Sequence, residues 1–285
     1  MSRRPRTIQI FLPSGDPSGI RKAEITTSII RVIEVPRSLA ADFCAMDESL
    51  QMGVYFLIGG ERDDVLYVGQ SSQLGSRLTN HHKEGTKDWD KALIWVSLTD
   101  NLTPTHTLYI ESRSIEMAKR AQRYKVSNGN VGQKIKIPVQ LQADCEEILE
   151  IGSLLMTTLG HNVFEPLLHE SEKENSLRFY CRRNGAQGEG IYTSEGFVVL
   201  KGSRGKFTHT GKVSNHIIAG RDALVEEDII QIDGDSSIFL KDHLFKSPSA
   251  AATAILTSSA NGWTEWRTAD GRTLSDIYRT NTELG

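Results

Sequence analysis

The chain has 285 residues, 38% of them hydrophobic and 24% charged, with a formal net charge of −3. That is the balance of a soluble globular chain, long enough for two domains. It holds no apolar run near the roughly 20 residues a membrane span needs, and its three cysteines (Cys44, Cys145, Cys181) are scattered without CxxC spacing, which argues against membrane insertion, a zinc site and a disulfide framework. The basic start, Met1 to Arg6, has no apolar stretch of signal-peptide length behind it, so export is not expected and a cytoplasmic, reducing location is. Charge is unevenly spread. Residues 1–51 carry 7 Lys+Arg and 6 Asp+Glu, residues 52–138 carry 12 and 9, and residues 139–285 carry 14 and 21. A basic segment beside an acidic one is compatible with a polyanion docked on the first.

Residues 7–12 alternate and read as a strand, followed by a turn-rich loop, Pro13 to Gly19. Residues 20–26 and 29–35 read as two more strands, and 38–50 as a short helix. The N-terminal piece is expected to form a small sheet beside the next domain, with Arg21 and Lys22 as candidate phosphate contacts. Two strands then follow, Gly53 to Ile58 and Val65 to Gly69, separated by Gly-Gly and four charged residues; this is a hairpin. A helix comes next, with Ser71 or Ser72 as its cap. Beyond a polar stretch containing Lys83, Lys87, Trp89 and Lys91, residues 92–98 read as a buried strand. Thr103-Pro104 starts a helix expected to run to about Lys125, with apolar positions at 108, 115, 118 and 121, before Ser127 to Asn130 stop it. Residues 139–160 are a third helix. Asp144 and Glu147 resemble a capping box there. Ile148, Ile151, Leu155 and Leu159 form a stripe that is read as a connector face or, over 144–159, a homodimer contact. Residues 170–176 read as an exposed linker. From Leu177 the texture changes to short strands, at 177–181, 190–192, 196–200 and 238–240, with helices at 222–230 and after Ser247-Pro248. Trp263 and Trp266 are either the core of a small domain or platforms for base stacking.

Six residues stand out for chemistry: Tyr55, Tyr67, Arg77, His81, Glu111 and Asn128. Arg77 and His81 are four apart on one helix and share a face. Arginine matches phosphate oxygens with a two-pronged fork. Glu111 is placed mid-helix beside Tyr109-Ile110, on the side of Leu108 and Ile115, and a carboxylate on a face that should be buried needs a partner such as a cation.

In this order the residues resemble the GIY-YIG nuclease family. The first signature tripeptide appears as Gly53-Val54-Tyr55 and the second as Tyr67-Val68-Gly69. The family's arginine, ten residues after the second tyrosine, is matched by Arg77, and the histidine four further on by His81, with His82 next to it. The glutamate on a later helix and the following asparagine are matched by Glu111 and Asn128. Gln70 stands where the family often has Lys, no Pro precedes Asn128, and the interval from Glu111 to Asn128 is long. The match covers about residues 50–130. Farther on, Gly196 to Ser203, Ser247 to Ala252 and Asn261 to Leu274 are similar to a module of unassigned function that recurs at the C-terminus of bacterial GIY-YIG proteins.

The resemblance implies an α+β fold, a small central antiparallel or mixed sheet flanked by helices, plus a second small α+β domain. The expected organisation is a strand-rich extension (1–49), the nuclease-like domain (50–138), a helical connector and linker (139–176) and the C-terminal domain (177–285). It implies a metal-dependent endonuclease acting on DNA. Glu111 would hold Mg²⁺ or Mn²⁺, Tyr55 would be general base, Arg77 would clamp the phosphate, and His81, Tyr67 and Asn128 would assist. The other readings are a binding or regulatory protein that keeps the fold, and a nuclease acting on RNA. A membrane partner is not expected.

Overall fold

A seven-stranded sheet takes in the hairpin read at residues 53–69. The computed structural model describes residues 5–59, 65–84, 88–129, 135–207 and 213–279. The turn expected at 60–64, Lys87 and Asn130 lie outside them. The chain divides into two units, Met1–Pro166 and Leu167–Gly285, both mixed α and β.

In the first unit the elements are β1 (Ile8–Phe11), β2 (Arg21–Ile25), β3 (Ile30–Pro36), α1 (Ala40–Cys44), β4 (Gly53–Gly59), β5 (Val65–Ser71), α2 (Leu74–Glu84), β6 (Lys91–Ser97), α3 (Pro104–Ala121), β7 (Lys125–Val126) and α4 (Val139–Thr158). The sheet order is β1-β2-β3-β6-β4-β5-β7, antiparallel except for the parallel pairing of β5 with β7. All seven residues of β4 are buried. Val54, Phe56 and Ile58 pack with Trp95 and residues of α3 and α4, while Tyr55 and Leu57 pack with Phe43, Leu74 and Leu78 from the α1 and α2 side. A strand covered on both faces reads as a continuous apolar run, and 53–59 does so.

The N-terminal strands belong to this same sheet. β3 pairs with β6 over seven positions, from Ile30↔Ser97 to Pro36↔Lys91. The helix expected over 38–50 is only five residues long, between 3₁₀ turns at Arg37–Leu39 and Asp47–Leu50. Ala40 and Phe43 begin a buried stripe, but Asp47 stands where its next apolar member would be. Arg21 and Lys22 are not free for phosphate. Arg21 pairs with Glu34, and Lys22 with Glu48 at 2.6 Å.

α3 ends earlier than expected. Gln122 turns left-handed at φ 56°, and Lys125 and Val126 are drawn alongside β5. α4 begins after Pro138, so Asp144 and Glu147 lie inside the helix and form no capping box. Ile148, Leu155 and Leu159 are buried. A Cβ at Gly152 would lie 2.5 Å from the Trp95 ring, so this stripe is spent on its own unit's core. The acidic excess is relocated as well. Residues 167–285 carry 14 Lys+Arg and 16 Asp+Glu, close to balance, and the five carboxylates of 139–166 belong to the first unit.

A buried charge cluster ties this unit together. Glu34 is 4% exposed and pairs with Arg21, whose guanidinium also donates to the Leu159 carbonyl at 3.1 Å. His161 Nε2 lies 3.5 Å from the Glu34 carboxylate. Burial alone would push the Glu34 carboxyl up, but His161 and Arg21 more than offset it and hold the group below the ordinary glutamate value. A lowered carboxylate pKa contributes stability that is complete above the unfolded-state value, about 4.3, and is lost as pH falls through the folded value. The melting temperature of the wild-type chain is therefore expected to exceed that of Glu34→Gln at pH 7, and the gap to close below about pH 4. A gap independent of pH would remove Glu34 from the acid response.

The second unit contains α5 (Glu170–Asn175), β8 (Arg178–Cys181), β9 (Gly188–Thr193), β10 (Gly196–Val199), β11 (Arg204–Lys206), α6 (Asn215–Glu226), β12 (Ile230–Asp233), β13 (Ser236–Phe239), β14 (His243–Phe245), α7 (Pro248–Leu256), α8 (Gly262–Glu265) and α9 (Leu274–Tyr278). Its sheets run β14-β10-β9-β8 and β11-β13-β12. The expected linker contains the short helix α5. The helix expected at 222–230 is displaced to Asn215–Glu226, because Asp228 turns left-handed at φ 53° and Ile230 enters a strand. Ser247 caps α7, accepting from the Ala250 N–H. Trp266 is fully buried, stacks on Phe197 at 4.2 Å and donates from Nε1 to the Pro248 carbonyl. It is core, not a stacking platform. Trp263 packs against Tyr192 and is covered by the Arg279 guanidinium at 3.7 Å.

Candidate active site

The hairpin sets Tyr55 of β4 directly opposite Gly69 of β5. A Cβ at Gly69 would lie 2.3 Å from the Tyr55 hydroxyl oxygen and 2.4 Å from its Cζ, so the tyrosine lies across its neighbour only because that neighbour lacks a side chain. Gly53 has an equivalent reason: a Cβ there would meet the Trp95 carbonyl oxygen of β6 at 2.2 Å. The two tripeptides are thus one steric device, each glycine making room for a neighbouring strand or its tyrosine. Gly69→Ala is expected to displace Tyr55 and destabilise the fold by about 1–3 kcal/mol, the usual range for overpacking. Urea unfolding measures this, and an unchanged midpoint would contradict the packing described.

α2 is pinned to the sheet by Leu74 and Leu78, which aims Arg77 and His81 at Tyr55. The Tyr55 hydroxyl accepts from Arg77 Nε at 3.0 Å and lies 2.9 Å from His81 Nε2. Tyr55 and His81 are buried, at 3% and 2% exposure, whereas Arg77, Tyr67 and Glu111 are half-exposed. The Tyr67 ring centre lies 6.2 Å from that of Tyr55 and 5.7 Å from that of His81. The site is therefore a shallow dish, with a tyrosine–histidine floor and a rim of arginine, tyrosine and carboxylate. Of the neighbouring histidines, His81 is the one in the site, and His82 is exposed.

Electrostatics link the rim to the floor. Burial pushes the Tyr55 phenol well above its ordinary value. The Arg77 hydrogen bond opposes this, while Tyr67 and Glu111 add to it. The negative charge of Glu111, on the helix beside β5, thus acts on Tyr55 of the adjacent strand. In turn its bond to the tyrosine oxygens keeps Arg77 firmly charged.

The surroundings of Glu111 differ from those expected. Leu108 is 40% exposed while Ile115 is buried, and the buried residues of α3 are Thr107, Tyr109, Ile110, Ser114, Ile115, Ala118 and Ala121. Glu111 lies one turn from both Thr107 and Ser114. Thr107 donates to Gln70 Oε1 at 3.4 Å, so the residue that follows the second tripeptide is held by this helix. Thr107 and Ser114 were not singled out in the sequence, and Gln70 only as a departure from the family pattern. The available signal was the pair of small polar residues at four before and three after Glu111.

Asn128 takes a different place from the catalytic one expected. Its Oδ1 accepts from the Val68 N–H at 3.0 Å and its Nδ2 donates to the Val68 carbonyl at 2.7 Å. Both ends of the amide are used on the middle residue of the second tripeptide, continuing the β5–β7 pairing with a side chain in place of a strand. It braces the strand that carries Tyr67.

Residues 179–278 match the model of a family described as a domain of unknown function, DUF4357. The match lies within the second unit and agrees with the similarity read at 196–203, 247–252 and 261–274. No curated protein and no solved structure matches the chain. Among the described residues no helix is long and apolar enough to cross a membrane.

Proposed function

We propose that the dish around Tyr55 is the active site of a metal-dependent endonuclease of GIY-YIG type, hydrolysing phosphodiester bonds in DNA. The observation that carries this reading is the Tyr55 hydroxyl held between Arg77 Nε and His81 Nε2, with the Glu111 charge acting on it. Among the described residues no three His, Cys, Asp or Glu side chains cluster into a cage. Glu111 supplies one carboxylate, and Mg²⁺ or Mn²⁺ can be held by one carboxylate with water and substrate oxygens filling the remaining positions. The bound ion would supply charge stabilisation at the phosphate and the leaving 3′ oxygen.

The chain's own residues account for the other steps. Arg77, charged and half-exposed on the rim, pairs with the scissile phosphate and offsets the charge that builds up in the transition state. Tyr55 is a neutral phenol at pH 7, so it does not act as a preformed tyrosinate. Its proton passes to His81 Nε2 as the phenol oxygen takes one from the attacking water, a relay that avoids an isolated buried anion. Tyr67 orients water or phosphate beside it, and Asn128 holds its strand in register.

The test is incubation of the chain with single-stranded DNA, duplex DNA and RNA, in Mg²⁺ or Mn²⁺ and in EDTA. Divalent-dependent cleavage of DNA is expected. Retained binding with no cleavage of any of the three would replace this reading with that of a recognition module, and cleavage of RNA alone would reassign the substrate.

A further inference from the structure

A cleft of about 660 Å³ opens in the second unit. It lies between the loop after β8, residues 182–187, and the turn after β10, residues 201–203. Its ionisable side chains include three cations, Arg182, Arg183 and Lys201, against one carboxylate, Glu189. Glu189 is neutralised by Arg178, and Arg183 is itself held by Glu265 at 2.6 Å. Arg182 and Lys201 are exposed, and neither side chain forms an ion pair among the described residues; the Lys201 main-chain N–H donates to Asp242 Oδ1 at 2.8 Å, and that carboxylate is paired with Lys173 at 3.0 Å. Arg182 lies over the Tyr180 ring, its guanidinium carbon 4.5 Å from the ring centre. The floor is firm. The Ser203 hydroxyl accepts from the Glu189 N–H at 3.0 Å and donates to its carbonyl at 3.1 Å, and Gln187 and Arg204 exchange main-chain hydrogen bonds.

We infer that this cleft is a second nucleic-acid contact, taking the phosphodiester backbone between Arg182 and Lys201. In a unit whose total charge is near balance, uncompensated cations gathered at a concave surface concentrate the local field. The volume is many times that of a single phosphate. The cations stand on separate loops, as suits a continuous backbone more than one bound ion. The Tyr180–Arg182 pair adds a flat surface on which an unpaired base can stack. Nothing in this inference depends on whether the tyrosine site cuts.

The experiment uses the full chain in EDTA, with a labelled single-stranded oligonucleotide, and follows affinity against salt concentration. Each phosphate contact contributes about 0.7 to the log–log slope for a single strand. Arg182→Ala/Lys201→Ala is therefore expected to flatten the slope by about 1.4. The corresponding affinity loss is roughly 25-fold at 0.1 M salt relative to 1 M. The control Arg272→Ala, an exposed cation elsewhere in the unit that is paired with Asp270, should change neither. Unchanged slope and affinity in the double variant would overturn the inference, as would an equal loss in the control. Displacement of the oligonucleotide by submillimolar inorganic phosphate at constant ionic strength would make the cleft a small-anion pocket and also overturn it. Because the readout is binding without metal, failure here is separate from failure to cleave.

Discussion

Glu111→Ala is expected to abolish divalent-dependent cleavage, by at least two to four powers of ten, while leaving binding of the oligonucleotide in EDTA within a few-fold of wild type. The magnitude follows from removing the one carboxylate proposed to hold the ion, since metal and acid–base contributions each reach that size. The substitution should leave the fold standing. Glu111 is half-exposed on a helix whose core contacts are made by Ile110, Ile115 and Ala118, and alanine is a good helix former. It should also remove one influence that raises the Tyr55 pKa. Single-turnover rates with saturating enzyme separate the chemical step from binding. Undiminished Mg²⁺-dependent cleavage by this variant would sink the assignment of the site.

Tyr55→Phe has the second-largest expected effect. The ring is retained, so its packing over Gly69 and beside Leu74 and Leu78 survives. The loss is the oxygen between Arg77 Nε and His81 Nε2. Stability should fall by about 1–3 kcal/mol, because buried His81 and half-exposed Arg77 each lose a partner, and the cleavage rate by about two to four powers of ten. The pH profile of the wild-type chain tests the relay itself. Were an ionised Tyr55 the base, its raised pKa would make the rate climb about tenfold per pH unit through the whole range from 7 to 10. With the proton passed to His81, no sustained tenfold climb across that range is expected. A sustained tenfold climb would refute the relay and leave the tyrosinate in its place.

The second cleft changes how substrate choice is framed. The proposed cutting site on one unit and the proposed backbone contact on the other would be two footholds for a strand, and binding through both would exceed either alone for a substrate that reaches both. The phosphate contacts first read into Arg21 and Lys22 fall away in the process. Those cations are consumed by Glu34 and Glu48, as charges in a packed sheet must be.

Sequence alone carried the elements whose signals are local. The 53–71 hairpin was visible in its apolar runs, the α3 start in Thr103-Pro104, and the α7 start in Ser247-Pro248. The shared face of Arg77 and His81 was visible in their spacing, because residues four apart on a helix meet whatever surrounds them, but their contact with Tyr55 depends on Leu74 and Leu78 packing α2 onto the sheet. Tertiary structure alone decided the rest. The membership of β1 to β3 in the same sheet depends on β3 finding β6 some sixty residues later. The end of α3 depends on Lys125 and Val126 pairing with β5. The true stripe around Glu111 depends on which face of α3 meets the sheet, and Asn128 proved a brace because Val68 offered both of its backbone groups. In each case the deciding energy comes from a partner distant in the chain, and local propensity holds no record of that partner.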